Sequence, residues 1–128
     1  MLDTNIVSEL IRNPAGPAAR RARQEADAVC VSIIVAAELR YGCARKGSPQ
    51  LLRKVEAFLA SVPVLPFDEP ADATYGSIRK ELEAAGLPIG PNDLLIAAHA
   101  HALGATVVTA NVAEFPRVRG LTIENWMV

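Results

Sequence analysis

The chain has 128 residues, 51% of them hydrophobic and 21% charged, a balance that excludes a disordered or fibrous protein and allows one globular domain spanning residues 1–128. With 13 basic and 14 acidic side chains the formal charge is −1, which neither requires nor forbids a nucleic-acid partner. Holding three of those acids around a metal would leave 11 against the 13 bases, so the remainder would be mildly basic.

In chain order, Met1-Leu2-Asp3 reads as a strand that looks clipped, since only two residues precede Asp3. Acids at positions 3 and 9 stand where a signal peptide would carry positive charge and then an apolar run. A helix over about Asn5–Arg12 follows, with Thr4 able to cap it, and it ends at Asn-Pro-Ala-Gly. Residues 17–26 suggest a second helix bearing Arg20, Arg21 and Arg23. Residues 28–32 fit a buried strand, and Ser32 caps a helix over residues 33–46. Ser48 and Pro49 open the next helix. A short strand over 62–67 leads to a long helix closed by Gly86. Gly90-Pro91-Asn92-Asp93 then opens an apolar helix closed by Gly104, and strands at 105–109 and 121–125 complete the chain. Strands alternating with helices predict a three-layer α/β domain with a mainly parallel sheet flanked by helices, in which ligands bind beyond the carboxyl ends of the strands.

No segment is long and uninterrupted enough to span a bilayer, and Cys30 and Cys43 lack the spacing of a zinc or redox pair. The expected location is the cytoplasm, with both thiols reduced.

Three carboxylates stand where burial should exclude them. Asp3 ends the first strand just before a helix, where a cap role is the alternative. Glu38 has Ile34, Val35, Tyr41 and Gly42 as its helical neighbours, a largely apolar stripe offering no cation, although an edge position reaching solvent is also open. Asp93 opens the apolar helix, where an acid also suits the helix dipole. The fold would gather all three at one edge of the sheet. Such a cluster stays ionised only with a cation, and Mg²⁺ or Mn²⁺ suits oxygen ligands.

The order DTNIVSEL, AAELRYG, GPNDLLIAAHA and VTANVAEFPRVRGL resembles the PIN domains of VapC-type toxins, including the FitB-like branch, over essentially the whole chain. The resemblance implies a PIN domain with Asp3, Glu38 and Asp93 as the catalytic, metal-holding acids, supported by Asn5 and Thr109. It implies a Mg²⁺- or Mn²⁺-dependent endoribonuclease in which water hydrolyses the phosphodiester, leaving a 5′-phosphate. It also implies a homodimer and a VapB-like antitoxin that blocks the site, so that toxin and antitoxin form a hetero-oligomer. At the position where many PIN domains carry a fourth acid this chain has Asn111, which counts against a fully occupied two-metal site. Glu114 reads instead as a surface cap or ion-pair residue.

His99 and His101 point about 200° apart on a helix and cannot converge on one phosphate, which argues against a metal-free His mechanism. The three arginines suit RNA, antitoxin carboxylates or solvent equally. Tyr41 is expected to pack, and Trp126 to pin the last strand. A phosphatase-like enzyme with Asp3 as nucleophile lacks its usual second acid, since position 5 is Asn. A PIN-like module that binds RNA or antitoxin without catalysis is favoured only by Asn111.

Overall fold

A computed structural model describes residues 1–127. Six helices run Thr4–Arg12 (α1), Pro17–Gln24 (α2), Ile33–Lys46 (α3), Pro49–Ser61 (α4), Ala71–Ala84 (α5) and Pro91–Leu103 (α6). Four strands, Val31–Ser32 (β1), Val64–Leu65 (β2), Val107–Val108 (β3) and Ile123–Glu124 (β4), pair in parallel as β1–β2 and β3–β4. Residues 1–3 join the two pairs. Leu2 N donates to Cys30 O on one side, while Asp3 N donates to Val108 O and Val108 N to Met1 O on the other. The two parallel pairs thus lie on either side of residues 1–3, bridged to β3 and held to the start of β1 by one hydrogen bond, in the spatial order β4, β3, residues 1–3, β1, β2 with helices packed around them, as the α/β reading expects.

The centre of that sheet is buried and mostly apolar: Leu2, Val31, Val107 and Val108 are buried together with Ser32, whereas β2 and β4 at the rims are half-buried. Parallel strands covered on both faces need this composition. The strands are shorter than the apolar runs suggested. Residues 26–28 form a 3₁₀ turn, and Cys30 contributes one hydrogen bond rather than a ladder.

Helix ends follow local chemistry. The Ser32 hydroxyl accepts from Ile34 N at the start of α3, and the Ser48 hydroxyl accepts from Leu51 N at the start of α4. Gly104 closes α6 at φ 66°, a left-handed conformation that a side chain would strain. The first cap differs from expectation: the Asp3 carboxylate accepts from Thr4 N, so Asp3 caps α1 and Thr4 is its first residue. Trp126 is buried in the core as expected, with the Arg21 guanidinium 5.2 Å above its ring. No helix among the described residues is long and apolar enough to cross a membrane.

Candidate metal centre

The carboxyl ends of the central strands carry the acids. Asp3 follows the first paired residues and is 3% exposed. Its Oδ2 accepts from the Thr109 hydroxyl at 2.7 Å and from Asn5 Nδ2 at 3.2 Å. Thr109 directly follows β3, so two neighbouring strand ends clamp one carboxylate. The Thr109 oxygen also accepts from Asn111 N, and Asn5 Oδ1 accepts from Ala110 N, which fixes the turn after β3 against the start of α1. Burial is the largest influence on Asp3 and pushes its pKa up against these hydrogen bonds, with Glu38 adding repulsion.

Asp93 lies in the first turn of α6. Asn111 Nδ2 donates to its Oδ2 at 2.9 Å, while the Asn111 side-chain oxygen accepts from Glu114 N. Asn111 therefore ties Asp93 to the turn after β3. Burial, followed by the charge of Asp3, raises the Asp93 pKa from 3.8 to about 6, and Glu114 and Glu38 add to the repulsion. Glu38 is half-buried on α3, between the Thr4 hydroxyl and Asn92 Nδ2, both of which donate to it.

Three expectations require correction here. Glu38 does not lie on the buried stripe of α3, which comprises Val35, Ala36, Leu39 and Cys43, but at its edge. Tyr41, one turn away, is 66% exposed and does not pack. Both errors arise because Ile34, Tyr41 and Gly42 were counted as one apolar face, although the helix turns Tyr41 away from the core. Glu114 is the third correction. Its carboxylate is half-buried and accepts from Gly90 N at 2.7 Å, next to Asp93, rather than pairing at the surface. A buried Phe115 immediately after it was the available sequence signal.

The other candidates lie apart from the acids. His99 is 2% exposed, its Nδ1 2.8 Å from Ser32 Oγ and its ring edge-on to Phe67, and burial lowers its pKa. His101 is exposed on the opposite side of the helix, so the two imidazoles do not converge. The arginines of α2 are not a free cluster: Arg21 pairs with Glu25 and Glu124, and Arg23 donates to Pro14 O.

The donor set consists of carboxylates, a hydroxyl and amides, all hard oxygen or nitrogen groups, and its acids repel one another. That chemistry fits a hard divalent cation. Among the described residues, no three His, Cys, Asp or Glu side chains converge tightly enough to share an ion by themselves. The donor set fits an ion that takes one or two of these carboxylates directly and keeps waters for its remaining positions.

A family model described as the PIN domain matches residues 1–121. The chain is 39% identical over 127 residues to the tRNA(fMet)-specific endonuclease VapC of Shigella flexneri, covering 98% of this chain and 96% of that protein. It is 40% identical over 128 residues to Ribonuclease VapC2 of Haemophilus influenzae strain Rd, covering 99% and 97%. Among solved structures, VapBC2 from Rickettsia felis bound to a promoter DNA fragment superposes with a TM-score of 0.91 at 40% identity, covering 98% of this chain and 97% of that one. FitAB bound to the IR36 DNA fragment superposes at 0.85 and 30% identity, covering 99% and 94%. With a family match over residues 1–121 and VapC relatives aligned along nearly its full length, this chain belongs to the PIN-domain family, in its VapC branch.

Proposed function

We propose that the protein is a Mg²⁺- or Mn²⁺-dependent endoribonuclease, the toxin of a toxin–antitoxin pair. The observation that carries this reading is the gathering of Asp3, Glu38, Asp93 and Glu114 at the carboxyl edge of the sheet, where burial first and then the charge of Asp3 raise the Asp93 carboxyl to about 6. Evolution tolerates such mutual repulsion where a cation resolves it.

Asp3 and Asp93 are the residues best placed to hold the ion, with Glu38 and Glu114 completing the negative field. When bound, a divalent ion supplies charge stabilisation to a phosphodiester and makes a nearby water more acidic. The chain itself does the positioning. Thr109 and Asn5 fix the orientation of Asp3, Asn111 that of Asp93, and Thr4 with Asn92 that of Glu38. For Asp3 and Asp93 these donors stabilise the ionised form and so oppose the upward push of burial. Neither histidine faces these acids, so the geometry favours water over a 2′-hydroxyl as the nucleophile. Glu114 beside Asp93 supplies an acid where position 111 has none, which weakens the case for a module without catalysis.

The relatives are named as ribonucleases, and the solved neighbours are VapBC and FitAB complexes. On that basis we assign this chain an antitoxin partner of the VapB kind and a homodimeric state, in the cytoplasm, where free Cys30 and Cys43 stay reduced. The test is incubation with tRNA(fMet) and with unstructured RNA, with Mn²⁺ or with excess chelator. Cleavage that needs the ion, yields 5′-phosphate ends and is lost in Asp3→Asn is the expected result. Full cleavage in chelator, or a 2′,3′-cyclic phosphate product, refutes it.

A further inference from the structure

At the β4 rim of the sheet, α2 lies beside the residues that follow the strand and encloses a pocket of about 200 Å³, lined by Pro17, Arg20, Arg21, Gln24, Asn125 and Trp126. The four helical members fall at spacings of three, one and three residues, which places them on one face of α2. The pocket lies at the same edge of the sheet as the acids. Thr109 N donates to Glu124 O and the Thr109 hydroxyl donates to Asp3, so Asn125 follows β4 as Asp3 follows its own paired residues. Neighbouring strands stand about 4.8 Å apart, which puts the end of β4 about 10 Å across the sheet from Asp3, on the side away from α3 and Glu38.

The charge in this pocket has one sign. No acid lines it. Arg21 is fixed, its Nε donating to Glu25, its Nη2 to Glu124, and its guanidinium 5.2 Å from the centre of the Trp126 ring. Trp126 Nε1 donates to the same Glu124 oxygen, so the three side chains form one ordered wall. Glu25 and Glu124 offset the charge of Arg21 but stand outside the lining. Arg20 is exposed and enters no ion pair among the described residues. Asn125 Oδ1 accepts from Met127 N, while its amide nitrogen has no partner among those residues. An uncompensated guanidinium beside free amides, with no carboxylate facing it, suits an anion that carries several acceptor oxygens. Apart from Pro17 and Trp126 the lining is polar, which fits a phosphate better than the aromatic and apolar anchors of a protein partner.

We propose that this pocket is a phosphate subsite for the RNA strand beyond the cut, with Arg20 gripping the phosphate and Arg21 and Asn125 beside it. The proposal rests on the ribonuclease reading above and extends it. A strand whose scissile phosphate lies at Asp3 and Asp93, and whose later phosphates reach Arg20, must continue past the acids on the β4 side. Such a strand is cut internally, because an RNA that ends at the acids leaves the pocket empty and loses this contact. The contact falls on the backbone, so the subsite selects for length of chain rather than for sequence.

Trp126 is the only tryptophan of the chain and lines the pocket, so its emission reports occupancy directly. Unlabelled single-stranded RNA is titrated in excess chelator, and total binding is followed in parallel by anisotropy of a labelled RNA across a salt series. The Trp126 emission is expected to change and to saturate together with the anisotropy. Arg20→Gln is expected to weaken binding several-fold at low salt and to lower the slope of log affinity against log salt by about 0.7, the value of one phosphate contact on a single strand. Its melting temperature should match wild type, since the Arg20 side chain is exposed. Lys80→Gln removes the same charge from α5 and should leave the slope unchanged. RNA binding that leaves the Trp126 emission untouched, or an equal loss in the Lys80 variant, overturns the proposal. So does inorganic phosphate alone shifting Trp126 as tightly as RNA, which would give the pocket to a free anion. A shift with an acidic peptide but none with RNA would give it to a protein partner and overturn the proposal as well. Failure of the ribonuclease reading would appear separately, as RNA that binds wild type yet stays uncut when Mn²⁺ is added.

Discussion

Asp93→Asn should make the metal-free protein more stable at neutral pH and should remove a pH dependence. In the fold this carboxyl titrates at about 6, against 3.8 when unperturbed, because burial and the neighbouring charges of Asp3, Glu114 and Glu38 oppose its ionisation. At 1.36 kcal/mol per unit, that gap is worth roughly 3 kcal/mol as an upper bound. Solvent at this half-buried site and relaxation around it bring the expected gain to about 1–2 kcal/mol. The folded-state value lies above the unfolded one, so between pH 3.8 and about 6 the native state holds the proton more tightly. The stabilisation is complete below the lower value and lost as pH rises through the upper one. Asparagine has no proton to lose and can still accept from Asn111. Urea unfolding in chelator at pH 4.5 and 7.5 should therefore show wild type losing stability between the two, and the variant losing less. At pH 7.5 the variant should melt about 3–10 °C higher, at roughly 3–5 °C per kcal/mol for a domain of this size. With saturating Mn²⁺ the order should reverse, since only the wild type gains fully from binding. A variant less stable than wild type at pH 7.5 without metal would refute the view of Asp93 as a strained carboxylate waiting for a cation.

Glu38→Gln should leave metal-free stability within about 0.5 kcal/mol, as its partners Thr4 and Asn92 are kept, but should reduce the Mn²⁺-induced rise in melting temperature. Thr109→Val removes a hydroxyl that serves Asp3, Asn5 and Asn111, and should cost about 2–3 kcal/mol and weaken Mn²⁺ binding in calorimetry. Ser32→Ala should cost about 2–4 kcal/mol in denaturant melts, because it removes the α3 cap and strands the buried His99 nitrogen, with no effect on Mn²⁺ binding. His99 is held neutral by burial, so its folded pKa lies below 6.5 and its contribution is lost as pH falls from 6.5 downward. His99→Gln should flatten stability over that acidic interval.

The residues that were legible in the sequence are those whose partners lie close along the chain. Ser32, Ser48 with Pro49, and Gly104 act within one helical turn, and each marks its helix end as expected. The alternation of apolar runs with helices gave the parallel α/β order for the same reason. Where the reading went astray, a distant partner decided the matter. Thr4 looked like the cap of α1, but its hydroxyl is taken by Glu38, 34 residues away, and Asp3 caps instead. Glu114 looked like a surface acid, but Gly90 N, 24 residues back, draws its carboxylate in beside Asp93. Local chemistry cannot distinguish two equally capable capping side chains when a tertiary contact claims one of them.

Asn111 shows the same logic at the site itself. Its identity alone suggested a missing acid and a weakened centre. In the fold its amide donates to Asp93, its carbonyl oxygen accepts from Glu114 N, and its backbone N–H donates to Thr109, which in turn donates to Asp3. A carboxylate in that place could accept from Glu114 but could not donate to Asp93, and it would add a further negative charge to a cluster already raised to about 6 at Asp93. With Glu114 held beside Asp93, asparagine is the side chain that can join the turn after β3 to both acids without increasing their repulsion. Exchange of Asn111 for Asp should accordingly raise the Asp93 pKa further and lower metal-free stability at neutral pH. Carbon-detected NMR titration of the carboxyl groups reads the first, and urea unfolding the second. An Asn111→Asp protein with Asp93 titrating at or below its wild-type value would mean that Asn111 is not the link between the two sides of the site.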